Sequence, residues 1–310
     1  MVKLKFRIEL NYEVADHPSD FIFNVHAAET RRQSLVTENF RVSQPVAVSL
    51  FTDPAHGNRY ARLRADPGKL TVRYEATVRI AHHVASPDSV EEVPIAQLPA
   101  EALAYIYPSR YCQSDRLHRL AATEFGGLRS GYWRVRAIQD WVHRRTRFVS
   151  GSSNATTSAV DTLIEQVGLC RDFAHLMIAL CRAINIPARF ATAIDYGSDP
   201  AFGPTDFHAY VEAFLGGRWY LFDPSGMTLP MGLIRLGTGR DAADVSFATI
   251  FGAVKAGPPL ISIEGVEDSR DGTVLPFACV DALSTDGEPT MQGSTAPASP
   301  ERHEMATSDR

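Results

Sequence analysis

Residues 168–176 read Gly-Leu-Cys-Arg-Asp-Phe-Ala-His-Leu. Downstream of Cys170 the apolar residues recur at helical spacing as far as Ile184, and Asn185 followed by Pro187 predicts the end of the helix. Asp172 falls in the first turn, where a carboxylate complements the positive end of the helix dipole. The pattern therefore predicts an amphipathic helix with Cys170 in its first turn.

A cysteine in this position is suited to be a nucleophile. Only the thiolate attacks well, and both the unpaired amides of a helix start and a nearby imidazolium favour it. Cys181 lies on the apolar stripe of the same helix and is predicted to belong to the core, and neither Cys112 nor Cys279 has a comparable setting. A lone cysteine beside a helix is usually a packing residue, so the catalytic interpretation depends on partners elsewhere in the chain.

Two runs further along supply such partners. Residues 206–211 read Asp-Phe-His-Ala-Tyr-Val, and residues 220–224 read Tyr-Leu-Phe-Asp-Pro. A strand would direct His208 to one face, and the intervening Gly-Gly pair predicts a hairpin that could bring Asp223 close to it. Cysteine, histidine and aspartate in this order suit a nucleophilic triad. The alternatives are a hydrogen-bonded core histidine for His208 and a strand-ending cap for Asp223.

These three motifs resemble the bacterial transglutaminase-like proteins over about residues 110–255, and the region before them resembles the β-rich N-terminal domain of bacterial members. The resemblance implies an α+β fold: a papain-like core, in which a helix-capping cysteine faces an antiparallel β-sheet, preceded by an antiparallel β domain. It implies Cys170 as nucleophile, His208 as general base and Asp223 as the residue that orients the imidazole. No cofactor and no metal are expected.

The reaction that the resemblance implies is thiol-dependent acyl transfer on an amide or peptide bond through a thioester. Such proteins include proteases, amidases, transglutaminases and members with no known activity. Hydrolysis of a peptide or protein amide by a cysteine protease or amidase is slightly favoured. Transfer of the acyl group to an amine, as in a protein-glutamine transglutaminase, is the alternative.

The donors that would hold the oxyanion are not assigned by the sequence. The backbone N–H of Cys170 could be one of them. In the families that this chain resembles, the second is an indole N–H or a glutamine side chain, so Gln166, Trp133 and Trp141 are the local candidates. Trp141 lies at helical spacing with Ala137 and Ile138, which favours core packing, and Gln166 is close to Cys170 along the chain.

Two functions of other classes stay open. Cys170, His175 and His208 with Asp172 are residue types that bind zinc, but they lack the paired spacing of a strong zinc motif. His175 follows Cys170 by five residues, which on a helix turns it towards another face. A degenerate triad kept as a protein-binding module is the other alternative.

The domain organisation is predicted from alternation and composition. Residues 1–84 are predicted to form the N-terminal β domain, residues 85–108 a linker, residues 109–265 the catalytic core, and residues 266–310 a C-terminal segment. Within these ranges, residues 258–263 are expected to close the core as a strand, and a disordered tail is expected from about residue 284.

Composition limits the partners. The formal net charge of -5 provides no basic surface for nucleic acid, and no apolar run is long enough to span a membrane. The N-terminus lacks the apolar block of a secretory signal. The 4 cysteines are dispersed, which suits a reducing compartment better than a disulfide scaffold. The expectation is a cytoplasmic enzyme with no nucleic-acid or membrane partner.

Overall fold

The computed structural model describes residues 1–197, 204–267 and 272–286, and its fold is α+β with mostly antiparallel sheets. The strands are β1 (Val2–Val14), β2 (Ser19–Phe23), β3 (Gln33–Val42), β4 (Val48–Thr52), β5 (Arg59–Ala65), β6 (Gly68–Ile80), β7 (His83–Ala85), β8 (Arg147–Phe148), β9 (Val167–Gly168), β10 (Ala188–Asp195), β11 (Phe207–Leu215), β12 (Arg218–Phe222), β13 (Leu233–Gly239), β14 (Ala248–Phe251), β15 (Val254–Ala256), β16 (Leu260–Gly265) and β17 (Ala282–Ser284). The helices are α1 (Ala100–Leu103), α2 (His118–Phe125), α3 (Tyr132–Arg145), α4 (Ala159–Glu165) and α5 (Cys170–Ala183).

The N-terminal β domain consists of two packed antiparallel sheets. In the first, β1 and β6 pair over their whole length, from Val2 opposite Ile80 to Val14 opposite Gly68. Every second residue of each strand is buried, so one face of this sheet packs against the second sheet, which has the order β14–β2–β5–β4. The alternation predicted for these two long strands is confirmed.

The C-terminal strands correct one sequence expectation. Residues 258–263 are expected to close the catalytic core, but β16 pairs with β1, where Ile263 lies opposite Phe6. The neighbouring β15 also pairs with β1, and β14 pairs with β2. The expected core range 109–265 therefore includes strands that belong to the N-terminal sheets. The alternating pattern of β16 shows that one face is half-buried, but it does not identify the sheet that covers this face.

The described chain ends in a segment that is fastened to the core domain. β17 pairs with β7, which lies at the end of the N-terminal β domain. Asp286 accepts hydrogen bonds from Arg189 and Arg235, whose guanidinium groups also pair with the fully buried Glu212. The disordered tail expected from about residue 284 lies, beyond Asp286, outside the described residues.

The core domain is built on the antiparallel sheet β12–β11–β10–β13, with α5 packed against β11 and β10. The two predicted helical segments are α2 and α3, which are separated by a glycine-containing turn. Along the outer edge of β13, Gln33 and Asn58 exchange hydrogen bonds with the backbone of Arg235 and Thr238 at 2.8 to 3.0 Å. Two side-chain amides of the N-terminal β domain thus form hydrogen bonds with the backbone at this edge of the core sheet.

In the part of the chain that the structure describes, no helix is both long enough and apolar enough to cross a membrane.

Candidate active site

The start of α5 is shaped by Gly168 and Asp172. Leu169 is the extended residue before the helix, and its backbone N–H donates to the Asp172 carboxylate at 2.8 Å. This is the acidic half of a capping box, which satisfies a backbone donor at the helix entry. A Cβ on Gly168 would lie 2.7 Å from the Asp172 Cβ, so the returning carboxylate requires glycine at this position. The local sequence thereby fixes the helix to begin at Cys170.

The loop after β8 lies alongside this helix start. β8 pairs in parallel with β9, and the Val149 N–H then donates to the Gly168 carbonyl at 3.1 Å. The Arg171 guanidinium donates to Ser153 Oγ at 3.1 Å and to the Asn154 carbonyl at 2.8 Å. The residue after Cys170 therefore holds the neighbouring loop in place.

Cys170 differs from the other thiols in its surroundings. All 4 cysteines are free, but Cys112 and Cys181 are completely buried, whereas Cys170 is half-buried. Burial raises the pKa of Cys181 well above its ordinary value, and it raises the pKa of Cys112 to about 12. The structure confirms the predicted core location of Cys181. Cys170 instead lies close enough to the imidazole of His208 to raise the pKa of that ring.

His208 lies between Cys170 and Asp223. Its side chain is 5% exposed, and Nε2 is 3.4 Å from Asp223 Oδ1. This separation permits an ion pair, although the two groups are not aligned for a full hydrogen bond. Burial alone would lower the pKa of His208, but the charge of Asp223 and the contact with Cys170 raise it well above the usual range. The site therefore favours an imidazolium.

The Asp223 carboxylate is held at both oxygens. Oδ1 accepts from the Ser225 backbone N–H at 3.0 Å and from its hydroxyl at 2.6 Å. Oδ2 accepts from the Thr228 backbone N–H at 3.2 Å and from its hydroxyl at 3.0 Å. Burial alone would raise the pKa of Asp223, but the charge of His208 and these hydrogen bonds lower it to about 2. Asp223 is thus a fixed anion.

The hairpin that joins β11 and β12 brings these two residues together. Gly216 and Gly217 both have positive φ, 53° and 81°, which suits the two-residue turn between Leu215 and Arg218. At the end of the hairpin away from the turn, the last residue pair is Val211 opposite Phe222. Asp223 therefore follows directly after β12. The hairpin expected from the glycine pair is confirmed.

Sequence reasoning missed the hydroxyl residues that clamp Asp223. An aspartate that accepts a hydrogen bond from the backbone two residues later forms an Asx-turn, and the run Asp-Pro-Ser-Gly at residues 223–226 has the composition of such a turn. That signal could have identified Ser225. Thr228 reaches the carboxylate through the following loop, for which the sequence carries no comparable pattern.

The two tryptophans considered as oxyanion donors have other hydrogen-bond partners. The Trp133 indole donates to Asp88 at 2.9 Å, and the Trp141 indole donates to Glu124 at 3.1 Å. Trp141 packs in the core beside Phe125, in agreement with the packing role expected for it. Gln166 ends α4 with a left-handed backbone and is exposed. Both indole N–H groups are therefore bound to carboxylates and are not directed at Cys170.

His175 does not join the other candidate zinc ligands. It is fully buried between the rings of Tyr111 and Phe190, each 5.0 Å away, and its Nε2 accepts a hydrogen bond from the Ala242 N–H at 3.1 Å. Burial lowers its pKa well below the usual value. Among the described residues, no group of three or more His, Cys, Asp or Glu side chains is arranged to hold a metal ion.

Comparisons with known proteins agree with this geometry. Residues 119–224 match the transglutaminase-like superfamily, and residues 2–101 match the bacterial transglutaminase N-terminal domain. The chain is 38% identical to a “putative cysteine protease” from Cytophaga hutchinsonii, with a TM-score of 0.84 over 91% of this chain and 97% of that one. The protein belongs to the bacterial transglutaminase-like superfamily. Its members and this structural relative support a thiol enzyme with a papain-like fold.

Curated relatives carry no further functional information. An uncharacterised protein of Mycobacterium leprae is 31% identical over 117 residues, which are 36% of this chain and 42% of that protein. An uncharacterised protein of Mycobacterium tuberculosis is 30% identical over 143 residues, 43% of this chain and 46% of that protein. The matched part of the chain spans less than half the length of these superfamily relatives.

Proposed function

We propose that this protein is a cysteine-dependent peptidase or amidase in which Cys170, His208 and Asp223 act as a catalytic triad. One observation carries the proposal: a buried imidazole lies 3.4 Å from a clamped carboxylate and is close enough to the Cys170 thiol for the thiol to raise its pKa. Nucleophile, base and orienting anion thus occupy consecutive positions, as general-base activation of a thiol requires. The substrate class is a peptide or protein amide.

The reaction proceeds in two halves. Cys170 Sγ attacks the amide carbonyl carbon while its proton resides on His208, and the carbonyl oxygen becomes an oxyanion. The backbone N–H of Cys170, at the positive end of α5, can donate to that oxygen. The C–N bond then breaks, His208 gives its proton to the departing amine, and a thioester remains. Water loses a proton to His208, attacks the thioester, and releases the acid and the thiol.

Asp223 fixes the direction of proton transfer. Because both of its oxygens are held by Ser225 and Thr228, the carboxylate cannot follow the imidazole if the ring rotates. Its negative charge stabilises the imidazolium that exists after the thiol has ionised. The low pKa of about 2 keeps this anion ionised over the whole range in which a thiol enzyme works.

Transfer to an amine differs only in the second half of the reaction. A lysine-like amine in place of water would attack the same thioester, and the membership in the transglutaminase-like superfamily favours it as the second candidate. We also propose that the protein works in the cytoplasm, where its 4 free thiols would remain reduced.

The first experiment tests the nucleophile. Limiting iodoacetamide at neutral pH should alkylate Cys170 before the other three thiols, as quantified by mass spectrometry of proteolytic fragments. Equal modification of Cys170 and Cys181 would contradict the proposal.

The second experiment separates the reactions. A panel of peptide 4-nitroanilides and glutamine-containing peptides is incubated with and without hydroxylamine. Acid products indicate hydrolysis, and hydroxamates formed from glutamine side chains indicate amine transfer. The Cys170→Ala variant is the control, and turnover that survives in this variant would overturn the triad. A wild-type protein that leaves the whole panel intact while its Cys170 is no more reactive than Cys181 would favour the non-catalytic module.

A further inference from the structure

The loop that carries Asp223 faces α3 across a cavity of about 220 Å³. Tyr132, Arg136 and Gln139 line this cavity from α3, at the three- and four-residue spacing of one helix face. Asp223 and Gly226 line it from the loop. Over this stretch the cavity, rather than a packed side chain, separates the loop from the helix.

His143 continues the same helix face and closes the gap. It follows Gln139 by four residues and lies in the last turn of α3. A Cβ on Gly226 would lie 2.8 Å from Cε1 of His143, 3.1 Å from Nδ1 and 3.6 Å from Nε2. The imidazole therefore occupies the space that a side chain at residue 226 would need. Gly226 also has a φ of 68°, which independently favours glycine.

Gly226 lies in the middle of the contacts that hold Asp223. On one side of it, Ser225 donates its backbone N–H and its hydroxyl to Oδ1, and on the other side Thr228 donates the same two groups to Oδ2. The Gly226 N–H donates to the Asp223 carbonyl at 3.3 Å. Because glycine loses more backbone freedom on folding than any other residue, a packing contact from outside the turn stabilises its closed form.

The end of α3 also leads to the other end of the triad. β8 begins two residues after α3 ends, and it pairs in parallel with β9. The Val149 N–H then donates to the Gly168 carbonyl at 3.1 Å, two residues before Cys170. Residues 143–149 therefore contact both the loop that holds Asp223 and the turn that carries the thiol.

We propose that His143 is a positioning residue for the triad, because its ring packs on Gly226 and holds the loop so that Asp223 stays beside His208. The inference rests on the proposed function and adds to it a residue that acts through Asp223. His208 Nε2 and Asp223 Oδ1 are 3.4 Å apart, so a small displacement of the loop weakens their interaction. A misplacement of about 1 Å that originates away from the chemistry can lower a rate by about 10²-fold.

The test follows the imidazolium of His208 through the reactivity of Cys170, so it needs no known substrate. Asp223 and Cys170 are the two groups that raise the pKa of His208. The imidazolium attracts iodoacetate but not the neutral iodoacetamide, so the ratio of the two alkylation rates declines as pH rises through this pKa. In His143→Ala the decline should be centred about half a pH unit lower or more, and amide turnover should fall about tenfold.

Two control variants separate packing from charge. His143→Phe keeps a flat ring over Gly226 but has no charge and no ring nitrogen. Its pH profile and turnover should therefore match those of the wild type, whereas His143→Ala, which is equally uncharged, should differ. Arg144→Ala removes an exposed cation from the same helix turn. Because solvent and salt screen an exposed charge, this variant should leave the centre of the pH profile unchanged.

Gly226→Ala disturbs the same contact from the side of the loop. The added Cβ would meet the imidazole at 2.8 Å, so this variant should shift the pH profile in the same direction as His143→Ala. In the double variant the missing ring makes room for the Cβ, and the two shifts should add to less than their sum. Fully additive shifts would contradict a direct contact. Gly226→Ala also serves as the test if His143→Ala does not fold.

The two proposals fail in different ways. If limiting iodoacetamide does not select Cys170 in the wild type, the proposed function fails. If it does select Cys170, two results would overturn the positioning role while the triad stands. One is a His143→Ala profile that coincides with that of the wild type, even where urea denaturation shows a loss of stability. The other is a His143→Phe profile displaced as far as that of His143→Ala.

Discussion

The two ends of α5 carry the same residue types with opposite consequences. At its start, the half-buried Cys170 lies near enough to His208 to raise the pKa of the imidazole, and the partly exposed Arg171 holds a loop. In its last turns, Cys181 is fully buried and Arg182 is 2% exposed. The Arg182 guanidinium donates to the carbonyls of residues 107, 188 and 240 and to the hydroxyl of residue 109, all of them neutral acceptors.

We infer that position along one helix decides whether a thiol is available to react or serves as a packing group. The helix start offers unpaired amides, a favourable dipole and a partner from the sheet. The later turns are surrounded by side chains on all sides, where burial raises the pKa of Cys181 and keeps it protonated.

The largest effect is expected from exchanging the two thiols for alanine. Cys170→Ala should lower turnover of any amide substrate by roughly 10³-fold or more, because residual catalysis then comes from binding and oxyanion donors alone. Cys181→Ala should keep turnover within about threefold of the wild type and lower the free energy of unfolding by about 1 kcal/mol through a small cavity. Steady-state kinetics measures turnover, and urea denaturation measures the free energy of unfolding. A Cys181→Ala variant as inactive as Cys170→Ala would erase the distinction.

Removing the charge of Asp223 should shift the titration of its partner. Asp223 raises the pKa of His208, so the imidazolium persists to higher pH in the wild type than in Asp223→Asn. The ratio of iodoacetate to iodoacetamide alkylation of Cys170 reports the imidazolium, because only the anionic reagent is attracted by it. This ratio should decline as pH rises through the pKa of His208, and in the variant it should decline at lower pH.

The same variant should also lose turnover, by roughly 10²- to 10⁴-fold, because the imidazole is no longer oriented by an anion. Ser225→Ala provides a graded control, since it removes one donor to the carboxylate while the charge remains. Coinciding pH profiles for wild type and Asp223→Asn would show that Asp223 does not act on His208.

The local features of this site could be predicted from sequence because each is encoded by a few adjacent residues. The start of α5 follows from the glycine, cysteine and aspartate spacing, and the β11–β12 hairpin follows from Gly216 and Gly217. Long-range pairing is different. The partner of β16 is not encoded in its own alternation, and all residues of Leu233–Gly239 are buried, so β13 has no alternation to find. The clamp by Thr228 likewise depends on how a loop closes.

Replacing the two arginines of α5 one at a time should show that Arg182 contributes more to the free energy of unfolding than Arg171 does. Arg182→Met removes the donors of four buried or partly buried acceptors, and unsatisfied buried acceptors cost about 1–3 kcal/mol each before relaxation and water entry. A net loss of about 3 kcal/mol in the free energy of unfolding is expected. Arg171→Met should cost less, about 1 kcal/mol, because Ser153 and Asn154 lie near solvent and the buried Asp172 keeps the hydrogen bond from the Leu169 N–H. Urea denaturation of both variants measures the contrast, and equal losses would contradict it.

The smallest effects are expected at the residues that bound the helix. Gly168→Ala places a Cβ 2.7 Å from that of Asp172, and moving the capping carboxylate should cost about 1–2 kcal/mol of unfolding free energy. Asn185→Gly, at the other end, replaces a residue whose φ is already 65°, so stability should change by less than about 0.5 kcal/mol. Only the first substitution should also slow alkylation of Cys170, because only it displaces the turn that carries the thiol. If both variants alkylate at the wild-type rate while Gly168→Ala is destabilised, the entry geometry serves the stability of α5 and the reactivity of Cys170 comes from His208 alone.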